Sequence, residues 1–137
     1  MTYAYTSDGR DAGWTLTVTN GTVISPALTR DNYRRTLVTT ITNWVNGTPV
    51  TTLSYTHDAL GRITSRNSDT FGYNSRSEVI SADIQSTASR YAYDGIGNNL
   101  WTSVNITTNV YTANSLNQYA AINATQLAYD GDGSLLT

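Results

Sequence analysis

Cysteine and lysine are absent from this chain, and histidine and glutamate occur once each. Without thiols there is no disulfide, no thiolate nucleophile and no Cys-ligated metal. A single histidine, His57, excludes a multi-His metal centre. Lys and Glu are two of the better helix formers, so their near absence argues against helices. The basic charge is eight arginines, spread along the chain, against ten acidic residues, for a net charge of −2. Nucleic-acid binding calls for a clustered excess of positive charge, so no nucleic-acid partner is expected. No apolar run reaches the 18 or so residues of a membrane-spanning helix. No signal-peptide pattern is read at the start, where Met1-Thr-Tyr-Ala-Tyr5 already reads as strand. Nothing calls for a cofactor.

What is present points to β structure. Thr, Ser and Asn number 24, 13 and 13, or 50 of 137 residues, and there are ten Tyr and three Trp against one Phe. Thr, Tyr, Trp and Val suit a pleated, half-buried surface, while Asn and Gly supply turns. The length fits one domain, able to bury a modest core without disulfides. Trp14-Thr-Leu16-Thr-Val18 alternates as a strand does. Leu37 to Ile41 and Val50 to Tyr55 flank Asn46-Gly47, a strong hairpin signal, with Pro49 just past the turn. Val79 to Ile84 lies in the one stretch with any helical period, Ser75 to Gln85, and reads equally well as strand.

Internal repeats carry most of the information. Five segments set an acidic or amide residue after a tyrosine: Tyr55-Thr-His-Asp58, Tyr73-Asn74, Tyr91-Ala-Tyr93-Asp94, Tyr111-Thr-Ala-Asn114 and Tyr129-Asp130. The anchors lie at 58, 74, 94, 114 and 130. Three residues further stands Gly61, Ser77, Gly97, Asn117 or Gly133, able to take a left-handed conformation. A degenerate copy opens the chain at Tyr3-Ala-Tyr5-Thr-Ser-Asp8-Gly9-Arg10. The expectation is strand, turn, strand in each unit. Asp58, Asn74, Asp94, Asn114 and Asp130 would start the turns by bonding the backbone two residues on, and Gly61, Gly97 and Gly133 would close them. Tyr55, Tyr73, Tyr91, Tyr93, Tyr111 and Tyr129 would form a ladder between stacked units.

This pattern resembles the YD-repeat, or Rhs, proteins. Tyr55 to Thr64 and Tyr91 to Leu100 match the Tyr-x-Tyr-Asp-x-x-Gly-Arg/Asn signature, with His57 in place of the second Tyr. Tyr129 to Leu135 matches its core, and the segments at Asn74 and Asn114 match with Asn for Asp. Residues 53–137 carry the resemblance, and residues 1–52 share only composition and strand pattern. Members of the family wind long β-sheets into hollow shells that enclose a cytotoxic domain in bacterial toxin systems, with a related barrel in animal teneurins. The resemblance implies a scaffold, one domain over 1–137 and an extracellular or cell-surface, bacterial setting. The Pro- and Trp-containing self-cleavage signature that precedes the toxin in this family has no counterpart around Pro26 or Pro49. Neither cleavage nor toxicity is therefore carried over.

Catalytic readings compare poorly with structural ones. Asp58, Asp94, Asp130 and Asp132 as paired acid–base carboxylates compete with turn capping, which their repeat position explains. Asp130-Gly-Asp132-Gly133 lacks the further ligands of a calcium loop. His57 beside Asp58 sits on the opposite strand face and near no nucleophile motif. No catalytic or metal residue is expected. Asn20, Asn46, Asn105 and Asn123 stand in glycosylation sequons, no more than chance gives at this Ser and Thr content. Trp14 and Trp101 read as packing residues, whereas Trp44, near the hairpin turn, is the candidate ligand platform. The reading is therefore an all-β, antiparallel array of YD-type repeats acting as a non-catalytic structural module. A carbohydrate-binding or adhesive module with a glycan partner is the alternative. The strand residues at Met1 to Tyr5 and the stop at Ser134-Leu-Leu-Thr137 suggest open repeat ends that pair copies into a homo-oligomer or filament.

Overall fold

The computed structural model describes residues 1–136, so Thr137, the last residue of the expected open end, lies outside the described residues. Every regular element among them is a strand, as the composition leads one to expect. Strands β1 to β13 follow chain order in one antiparallel sheet that does not close, and β14 and β15 form a separate hairpin. The contacts group into two units, Met1–Ser68 and the residues from Asp69 onward.

The first unit holds β1 (Thr2–Tyr5), β2 (Asp11–Thr17), β3 (Val23–Arg30), β4 (Val38–Val45), β5 (Thr48–His57) and β6 (Ile63–Arg66). Its strongest local signal, Asn46-Gly47, joins β4 to β5 with both residues at positive φ, 50° and 76°. β3 carries Pro26, which cannot donate to a ladder. Opposite it, the β2–β3 register runs Gly13↔Ala27 and resumes at Leu16↔Ile24. Gly13 has φ of 134°, and a Cβ added there would stand 2.0 Å from the Pro26 carbonyl oxygen. Only glycine lets these two backbones approach so closely.

The second unit holds β7 (Asp69–Tyr73), β8 (Val79–Ile84), β9 (Thr87–Tyr93), β10 (Asn99–Val104), β11 (Thr107–Ala113), β12 (Tyr119–Ile122) and β13 (Thr125–Gln126). It also contains β14 (Ala128–Tyr129) and β15 (Leu135–Leu136).

Burial is shallow. Only Gly13, Ala82, Ala121 and Asp69 are buried among the described residues, and no large side chain is fully enclosed. Apolar burial is thus a weak source of stability, and the ladders and turns carry more of it.

Candidate functional site

The residues singled out by the repeat come together as a series of equivalent turns. In each, the anchor N–H donates to the carbonyl four residues on, and the N–H three residues on donates back to the anchor carbonyl. Asp58 pairs in this way with Arg62 and Gly61, Asn74 with Glu78 and Ser77, and Asp94 with Asn98 and Gly97. Asn114 does so with Gln118 and Asn117, and Asp130 with Ser134 and Gly133. The third residue after each anchor is left-handed: Gly61, Ser77, Gly97, Asn117 and Gly133 have φ of 82°, 66°, 97°, 63° and 83°.

The anchor side chain repeats as faithfully. Asp58 Oδ1 accepts from the Leu60 and Arg62 N–H at 2.9 and 3.0 Å. Asn74 accepts from Arg76 and Glu78, Asp94 from Ile96 and Asn98, Asn114 from Leu116 and Gln118, and Asp130 from Asp132 and Ser134. The anchor's second polar atom then selects the side chain four residues on. A carboxylate faces a donor: Arg62 Nε donates to Asp58 Oδ2 at 2.6 Å and Asn98 Nδ2 to Asp94 Oδ2 at 2.8 Å. An amide faces an acceptor: Asn74 Nδ2 donates to Glu78 Oε2 at 2.5 Å and Asn114 Nδ2 to Gln118 Oε1 at 3.0 Å. Anchor and partner are thus chemically matched within these four turns.

These bonds hold Asp58, Asp94 and Glu78 charged. At Asp58 partial burial pushes the carboxyl up, but the Arg62 N–H, the Arg62 guanidinium and the Leu60 N–H together keep it below the usual value. At Asp94 the Asn98 side-chain amide is the chief cause of a lowered value, aided by the turn's N–H groups. The Asn74 amide does the same for Glu78. A carboxylate so committed is a poor general acid, because it holds its proton too weakly. Among the described residues no group of three or more metal-ligating side chains gathers, Asp130 and Asp132 included.

The tyrosines divide into two rows, at one and three residues before the anchor. The residue just before each anchor pairs with the residue five after it, as in Tyr73↔Val79, Tyr93↔Asn99 and Tyr129↔Leu135. In the turn at Asn114 the pair is Ala113↔Tyr119, so the tyrosine stands on the far side of the turn. Tyr119 was not among the expected ladder residues, yet it joins the others. Tyr93 donates its hydroxyl to the Val79 carbonyl at 3.0 Å and Tyr129 to the Tyr119 carbonyl at 2.8 Å, while the Tyr119 hydroxyl accepts from Asn99 N–H at 2.9 Å. Each of these ties one turn to the backbone of the turn before it. Tyr111 and Tyr119 also contact through their rings, 5.3 Å apart and tilted by 48°. Tyr111 reaches Thr102 through its hydroxyl at 3.2 Å. Tyr55 pairs with Arg66, and Tyr91 with Thr102.

Three further turns lie in the first half: the degenerate opening copy, and two at Val18 and Asp31 that escaped the pattern. The opening copy is anchored at Thr6 and not at an acidic residue: Thr6 N–H donates to the Arg10 carbonyl, Gly9 N–H to Thr6, and the Thr6 hydroxyl accepts from Arg10 N–H. Val18 anchors the same backbone turn with no polar side chain, closed by Gly21. Asp31 anchors one two residues longer, accepting from Tyr33 and Arg34 N–H and closing on Leu37. A second turn type, read in the sequence only at Asn46-Gly47, belongs to asparagine at positive φ. Asn46, Asn67, Asn105 and Asn123 each donate a backbone N–H to the partner strand and accept its N–H on Oδ1. The strand residues are Val23, Ser54, Ala88 and Val110 in that order. All four sequon asparagines thus bond the backbone, Asn20 by accepting from the Thr22 N–H.

His57 pairs with Ile63 and lies in an apolar recess with Leu37, Val38, Ile41 and Tyr55. Trp44, the candidate ligand platform, is half-buried on β4 and faces Pro49 in register. Trp101 is 38 % exposed on β10.

No protein-family model matches the sequence, and no curated protein matches it. Solved structures do. A Tc holotoxin pore of Photorhabdus luminescens carrying a TccC3 mutation aligns at a TM-score of 0.70 and 18 % identity, over 97 % of this chain and 8 % of that one. A TcdB2–TccC3–Cdc42 complex aligns at 0.66 and 18 %, over 92 % and 7 %. The chain therefore spans less than a tenth of the length of either neighbour. Nearly the whole chain has the fold of a segment of these Tc toxin chains, the all-β antiparallel sheet that its resemblance to YD-repeat proteins implies.

Proposed function

We propose that the chain is a non-catalytic structural segment of a YD-repeat shell. The observation that carries this reading is the likeness to Tc toxin chains over 97 % of the residues, joined to turns whose carboxylates are committed to the backbone. The mechanism is geometric. Each turn fixes the register of two strands, and tyrosine hydroxyls hand that register to the next pair. Residues 1–137 act in this reading as one repeat array in an extracellular or cell-surface assembly of bacterial type.

Assembly needs an edge. β1 pairs only with β2 in the sheet order, and Tyr3 and Tyr5 on it are 58 % and 65 % exposed. No lysine guards it, and the net charge of −2 offers little repulsion. Copies of the chain associate along such an edge.

Light scattering and negative-stain electron microscopy over a range of concentrations test this. Association that grows with concentration and is lost in Tyr3→Lys is the expected result. A wild-type chain that stays monomeric at high concentration would remove the assembly part of the reading.

A further inference from the structure

The arginines that look scattered along the sequence gather in the first unit. Arg10 lies in the opening turn, Arg30 at the end of β3, and Arg35 in the long turn anchored by Asp31. All three line one recess of about 360 Å³, with Asp8 and Asp31 also in its wall.

The two aspartates are already engaged. Asp8 accepts from the Thr6 hydroxyl and from Arg35 Nη1, the latter at 3.4 Å. Asp31 accepts two backbone N–H groups and has Arg34 at 3.8 Å. The arginines are less well served. Arg10 Nη1 and Arg30 Nε are buried and have no hydrogen-bond acceptor in the protein. The nearest carboxylate to Arg10 Nη1, Asp8, stands at 3.4 Å without bonding geometry. Arg30 is bonded through Nη2 to the Asp11 carbonyl at 3.0 Å, a neutral acceptor. Three guanidinium groups thus face two carboxylates in a chain whose overall charge is negative.

Buried charged donors without acceptors are costly to keep and are ordinarily matched by a partner. Guanidinium groups bond most strongly to anionic oxygens. We propose that this recess binds a tetrahedral oxyanion of the phosphate or sulfate class. To do so the guanidinium groups of Arg10, whose side chain is 39 % exposed, and of Arg30 turn these N–H groups into the recess, and Arg35 adds charge. A tetrahedral anion offers several acceptor oxygens to donors arriving from two separate elements, where a carboxylate offers two. The volume leaves room for an ester substituent beyond the anion itself.

The test follows arginine side-chain N–H signals of the full chain by NMR. Inorganic phosphate, sulfate or acetate is added at constant ionic strength in chloride. Signals of Arg10 and Arg30 should shift saturably with phosphate and with sulfate, with a dissociation constant of about 1 mM or tighter. Arg90, in its ion pair with Asp83, should not respond. Acetate should bind at least about tenfold more weakly, and Arg10→Met or Arg30→Met should weaken phosphate by a similar factor, with Arg90→Met unchanged. The wild-type signals decide the matter even if either variant fails to fold. Failure to saturate by about 20 mM phosphate, well beyond a millimolar site, would overturn the proposal. An acetate response equal to that of phosphate, or equal weakening by Arg90→Met, would do so too.

Discussion

Asp58 and Asn74 occupy the same place in two turns, yet their side chains ask for opposite partners, and Arg62 and Glu78 supply them. From the sequence alone, asparagine looks interchangeable with aspartate at every anchor. The matched pairs limit that freedom. Asp58→Asn would turn an amide donor toward Arg62, which has only donors. Asp94→Asn meets Asn98, whose amide can reverse. Asp58→Asn should therefore lower the melting temperature more than Asp94→Asn. The double change Asp58→Asn with Arg62→Glu, which copies the Asn74–Glu78 pair, should recover most of the loss. Thermal denaturation of the four proteins checks this, and a double variant no better than Asp58→Asn would show that the pairing is incidental. The carboxylates also set an acid limit. Asp58 and Asp94 are lowered below the ordinary value of 3.8. A group lowered in the folded state stabilises it above its unfolded pKa, and this stabilisation is lost as pH falls through the folded value. Melting temperature should thus be level above about pH 5 and fall below about pH 4, and the fall should be shallower in Asp94→Asn.

The five Tyr–Asp and Tyr–Asn turns were legible because side chain, backbone and spacing all repeat, and Asn46-Gly47 because few dipeptides suit its turn so well. The first half was less so. Thr6 and Val18 form the same backbone turn without the acidic marker, and Asp31 stretches it by two residues. Tyr119 was missed because it crosses to the far side of its turn while keeping the same pair position. The asparagine clamps at 67, 105 and 123 were hidden because the residue after each varies, Ser68, Ile106 and Ala124 among them. The recess joining Arg10 to Arg30 depends on how strands and turns pack, which no local pattern reports. Gly13 likewise looks ordinary in the sequence, although it faces Pro26 within the interior strand β3. Gly13→Ala should cost on the order of 2 kcal/mol or more, from positive φ and from collision with the Pro26 carbonyl. Chemical denaturation would measure it. A cost below about 0.5 kcal/mol, as at an ordinary surface site, would mean that this close approach relaxes freely.

Over the whole molecule, stability rests on repeated turns and ladders more than on an enclosed core, which suits a module meant to extend a sheet. The central claim is that one turn geometry, held by the anchor side chain, recurs along the chain. Residue-resolved amide hydrogen exchange tests it most directly, because exchange reports each N–H separately. Within each five-residue turn the anchor donates, as do the second, third and fourth residues after it. The residue just after the anchor does not. The account predicts a single fast amide per turn, at Ala59, Ser75, Gly95, Ser115 and Gly131, each flanked by slower ones. Uniformly fast exchange across residues 58–62, 74–78, 94–98, 114–118 and 130–134 would contradict it.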